Sequence, residues 1–100
     1  MSTVDPTNVA RRTAAGLETA RIAQKTAEVE HYSSLVAHQR ERYVAAYERC
    51  DDMVRRDAAR GMVAAAVVFE SDGKHIPTRL KKAAEVIKIA VFLLDPKAPA

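Results

Sequence analysis

From Ile22 to Met53, apolar residues recur at alternating steps of three and four: Ile22, Val29, Tyr32, Val36, Tyr43, Ala46, Cys50 and Met53. Ten positions lie on that register, and only Lys25 and Gln39 among them are polar. Residues spaced this way line one stripe of a helix, and the short period is that of a helix curled slightly around a partner. The pattern predicts a long amphipathic, coiled-coil-like helix. Asp5-Pro6 suits its start, since a carboxylate accepts a hydrogen bond from a free amide and proline fits the first helical position. Between Pro6 and Arg60 there is no further proline, and Gly16 is the one glycine.

An unbroken helix of roughly 55 residues would be about 80 Å long, far beyond a compact domain of this size. The chain therefore either extends as a coiled coil or breaks and folds back. His31-Tyr32-Ser33-Ser34 and Cys50-Asp51-Asp52 are the two places where serine or aspartate offers a new cap. The register runs through both, which favours continuity from about residue 30 to 60. Ahead of it, Ala10, Ala14, Ala15, Ala20, Ala23 and Ala27 supply helix propensity with little bulk, so a neighbouring helix can approach closely.

Arg60-Gly61 reads as the end of this helix, and the apolar run Met62–Phe69 as a shorter one. Asp72-Gly73 admits either a tight hairpin turn or a helix stop followed by a start at Pro77. Three consecutive alanines, Ala64 to Ala66, are poor strand material and favour the helical alternative. From Thr78 to Leu94, Leu80, Ala83, Ala84, Ile87, Ala90, Val91 and Leu94 share one face, opposite Lys81, Lys82, Glu85 and Lys88. Asp95-Pro96 ends that helix. The expected protein is all-α and a single domain over 1–100. It has a loose end at 1–4, a long helix at 5–60 (with breaks near 31–34 or 50–52 as the alternative), a short helix at 62–70, a last helix at 78–94 and a tail at 95–100. The shorter helices pack back on the long one as a helical hairpin or bundle.

Composition changes this picture little. Charge is spread: residues 1–50 hold seven basic and six acidic side chains, residues 51–100 nine and seven, giving the net +3. No cationic arm of the kind that announces nucleic-acid binding stands out. Cys50 is the lone cysteine and has no internal disulfide partner, which suits a reducing compartment. The first residues carry neither a positive patch nor an apolar run, so no secretory signal is expected, and no apolar stretch is long enough for a membrane span. A cytoplasmic protein is the expectation.

Candidate chemistry is sparse. His31 and His38 are seven residues apart, whereas metal pairs on a helix sit three or four apart, and nothing completes a ligand set. His75 reads as a solvated turn residue. Cys50 falls on the apolar stripe, where free cysteine behaves as a small hydrophobe. Asp51 and Asp52 diverge by about 100° on a helix and read as partners for Arg55 and Arg56 rather than as a catalytic pair. There is no phosphate loop, nucleophile elbow or cysteine knuckle, so no enzyme, cofactor or metal is expected. Tyr32, Tyr43 and Tyr47 suit either a bundle core or a contact stripe. Lys74, Arg79, Lys81 and Lys82 gather where the last helix begins and its dipole is already positive; that makes an anion site or simply solvated side chains.

The functional expectation is a non-catalytic protein–protein interaction module: a subunit, adaptor, regulator or small inhibitor acting through helix-face packing and self-association, at least as a dimer. Its interface would be Ile22, Val29, Tyr32, Val36, Tyr43, Ala46, Tyr47, Cys50 and Met53. The alternative is a nucleic-acid-binding regulator using Lys74, Arg79, Lys81 and Lys82.

Overall fold

The structure is a computed structural model; it describes the backbone of residues 6–71 and 75–99, and side chains from Thr13 onward. The fold is all-α. Helix α1 spans Pro6–Arg49, α2 Met53–Ser71 and α3 Ile76–Leu94, with no strand among the described residues.

The long helix ends at Arg49 rather than continuing to about 60, so the break falls at Cys50–Asp52 and none occurs at 31–34. Local hydrogen bonding accounts for this. The Asp52 carboxylate accepts from the amides of Val54 (2.9 Å) and Arg55 (3.2 Å), capping the free donors of α2. On the other side, the Cys50 amide donates to the Tyr47 carbonyl at 3.3 Å and tightens the last turn of α1. The supposed short helix at 62–70 is therefore the second half of α2, and Gly61 lies inside that helix instead of ending one. Because α2 runs to Ser71, the hairpin alternative for 67–77 is excluded as far as Ser71, while Asp72, Gly73 and Lys74 lie outside the described residues. The last helix starts two residues before Thr78, with Pro77 in its first turn and His75 before it in the left-handed region (φ 55°, ψ 46°), a conformation histidine tolerates better than most side chains.

Two clusters make the core. At the closed end, Ala46 and Cys50 meet Ala59 of α2 and Ala90, Val91 and Leu94 of α3. Further along, Val36 meets Ala66 of α2 and Ala83, Ala84 and Ile87 of α3. These pairings run the three helices up, down and up, with α3 packed against both others. The backbones of α2 and α3 come close because the residues between them are small: Ala59, Ala66, Ala83 and Ala90 are wholly buried. The tail is folded too. Arg42 donates to the Pro99 carbonyl, and the Asp95 carboxylate accepts from the Lys97 amide at 3.2 Å.

At 1.5 Å per residue α1 is about 66 Å long and α3 about 28 Å. Since α3 begins beside Val29, the first half of α1 projects from the bundle. The molecule measures 79 × 24 × 14 Å, with a radius of gyration of 21.0 Å, against roughly 13 Å for a compact chain of this length.

Candidate interaction surface

The projecting arm is helical for local reasons. Its alanines have high propensity; Thr19 and Thr26 each donate to the carbonyl four residues back at 2.9 Å. Glu18 pairs with Arg21 at 3.5 Å, and Gln24 with Glu28 at 3.5 Å. Every described side chain from Thr13 to Glu28 is exposed. Contacts of this kind add only a few tenths of a kcal/mol each, and isolated helices of this length are marginal in water.

The apolar stripe divides at the base of the arm. Val36, Ala46 and Cys50 are buried, and Tyr32, Tyr43 and Tyr47 partly so, against α2 and α3. The chain thus covers the middle of its own stripe. The polar member Gln39 is buried and accepts from Arg42 at 3.0 Å. Met53 is 59% exposed, because the chain reverses at 50–52 and carries it onto α2, off the line of the others. Ile22 is 57% exposed, and Val29 is half-buried. With Thr26 and the first turn of α3 (Ile76, Pro77) they line an open groove of about 350 Å³, flanked by Lys25, Glu30 and His75.

Tyr43 and Tyr47 lie 5.7 Å apart, ring to ring, in the α1–α2 corner. Arg56 and Arg60 sit over Tyr47 at 4.4 and 5.9 Å. Arg40 of α1 and Glu70 of α2 are ion-paired at the other end of that hairpin. Burial raises the Tyr43 phenol above its ordinary value of 10.0; Tyr47 adds to this, and the Arg60 charge opposes it. These tyrosines belong to the closure of the bundle.

Lys81 and Lys82 do not converge. Lys74 lies outside the described residues. Lys81 borders α1 beside Tyr32 and Gln39, whereas Lys82 lies 5.1 Å over Phe69 of α2, so the two ammonium groups are on opposite flanks of α3. Arg79 is half-buried. Asp52 pairs with Arg55 at 3.7 Å, but Arg56 turns to the Tyr47 carbonyl instead of an aspartate. His31 packs edge-on to Tyr32 at 5.1 Å. Among the described residues no three His, Cys, Asp or Glu side chains assemble as a metal-binding group, and no helix is long and apolar enough to cross a membrane. The Cys50 thiol is buried and donates weakly to the Asp52 carbonyl at 3.8 Å.

In comparisons with known proteins, no family model, no curated protein and no solved structure matches the chain. One surface was missed in the sequence: the outer side of α2, where Val54 and Val68 stand exposed. Its signal was present as apolar or small residues at 54, 58, 61, 65 and 68, hidden by the boundary drawn at Arg60-Gly61.

Proposed function

We propose that the protein is a non-catalytic interaction module in which a short three-helix unit holds out the first half of α1 for a partner helix. The observation that carries this reading is the groove between Ile22 and Val29 on the arm and Ile76 and Pro77 of α3. It continues the line along which α3 already covers Val36 and Ala46. A partner helix laid there would complete the apolar stripe, while Lys25 and Glu30 would fix its register. Ordering a marginal helix on binding suits a regulatory or adaptor role.

Photo-crosslinking from Ile22 and Ile76 in the cells of origin tests this, with Glu48 on the bundle as the control position. Discrete protein adducts from the first two, absent from the control, support the reading. Equal, diffuse labelling at all three contradicts it, and adducts that nuclease removes would favour nucleic-acid binding.

A further inference from the structure

Helix α2 turns part of its apolar surface outward. Its inner side buries Ala59 and Ala66 completely and packs Met62, Val63 and Phe69 against the core, while three of its four valines are exposed: Val54 78%, Val68 68% and Val67 48%. Exposed valine gains nothing from burial and is a weaker helix former than alanine. Val54, Ala58, Gly61, Ala65 and Val68 are all exposed and follow steps of four, three, four and three, which confines them to one stripe. A Cβ added at Gly61 would meet nothing within 4 Å.

We propose that this face of α2 is a homodimer interface, packed antiparallel against the same face of a second copy. An isologous contact needs a self-complementary surface. Val54 and Val68 each stand seven residues from Gly61, so an antiparallel crossing at Gly61 places each valine on its opposite number while the glycines let the backbones approach. None of the five positions is charged. On the flank, Asp57 is already paired with Arg60. A parallel arrangement would set Asp57 against Asp57 and Arg60 against Arg60, which antiparallel packing avoids. The 19 residues of α2 give a face about 28 Å long and about 10 Å wide, roughly 300 Å² per copy against the ~800 Å² of a standard interface. The dimer is accordingly weak. Its twofold axis crosses α2, so the two α1 arms point in opposite directions. If the arms dock partners as proposed above, the dimer joins two of them end to end; the dimer itself does not rest on that reading.

Sedimentation equilibrium of the full chain, from micromolar to millimolar concentrations, decides the matter. The wild type is expected to pass from monomer to dimer. Val68→Asp weakens the dimer at least tenfold, by far more than the small loss of Tm expected in dilute solution from an acid in the last turn of α2. Gly61→Ala raises Tm, since alanine is the better helix former in an open position, yet weakens the dimer. Ile22→Asp on the arm leaves association unchanged, which keeps this result separate from the crosslinking outcome. Gly61→Cys crosslinks to its own copy under mild oxidation and Val54→Cys does not. A wild type that stays monomeric throughout, a dimer abolished by Ile22→Asp but not by Val68→Asp, or self-crosslinking of Val54→Cys would each overturn the proposal.

Discussion

Arg56 grips Tyr47 in two ways. Its Nε and Nη2 donate to the Tyr47 carbonyl at 3.1 and 2.9 Å, and its guanidinium lies 4.4 Å over the Tyr47 ring. That carbonyl belongs to the last turn of α1, where its only backbone donor among the described residues is the Cys50 amide at 3.3 Å, so an arginine from α2 adds to the closure of α1 and fixes the turn between them. Arg56→Ala should destabilise the fold by about 2 kcal/mol. Arg56→Lys keeps the charge but loses the fork and the stacking, and should recover less than half of that. Urea unfolding followed by circular dichroism measures both.

Asp52 does for α2 what Arg56 does for α1. Because its carboxylate caps the Val54 and Arg55 amides, Asp52→Ala should cost about 1 kcal/mol. Asp52→Asn retains an acceptor and should lie close to wild type. The same denaturation series checks the pair, and an equal loss for both would assign the effect to the exposed ion pair with Arg55 instead.

The partly buried phenol of Tyr43 should make stability fall at alkaline pH. Its folded pKa is raised, chiefly by burial, above the 10.0 of the unfolded chain. As pH rises through 10.0 the unfolded state gives up this proton while the folded state keeps it, so the unfolded chain binds fewer protons and stability declines. The contribution is complete below pH 10.0 and is lost as pH climbs through the folded value. In Tyr43→Phe that share of the alkaline loss should be absent, which thermal melts between pH 8 and about pH 11 would reveal.

Burial separates two isoleucines. Ile87 is wholly enclosed between α1 and α2, whereas Ile22 on the arm is 57% exposed. Ile87→Ala should cost about 2–5 kcal/mol through lost transfer energy and a residual cavity. Ile22→Ala should change stability by less than about 0.5 kcal/mol. A comparable loss from Ile22→Ala in dilute protein would mean that the arm is covered within the chain.

The all-helical class was legible because Val36, Ala46 and Ile87 follow helical spacing and bury as that spacing implies. The break at Cys50–Asp52 was harder to see. Met53 falls on the register of Cys50 by period alone, and only the three-dimensional reversal shows that it has left the stripe. Asp52 carried the competing signal, a cap, which local hydrogen bonding made decisive. Gly61 was misread as a helix stop because sequence does not reveal whether a glycine needs its freedom; here it is an ordinary helical residue in open space. The split of Lys81 and Lys82 follows from adjacent residues diverging around a helix, although their partners, Tyr32 and Phe69, come from distant segments. The left-handed conformation of His75 had no signal in its neighbours.

The central claim is that α1 stands exposed from Ala14 to Glu28 and is packed into the bundle only from about Val36 onward. Amide hydrogen exchange resolved along α1, in protein dilute enough to be monomeric, tests it most directly. Residues 13–28 should exchange orders of magnitude faster than residues 36–47, which open only with the bundle. Equal protection along the whole helix would contradict the account.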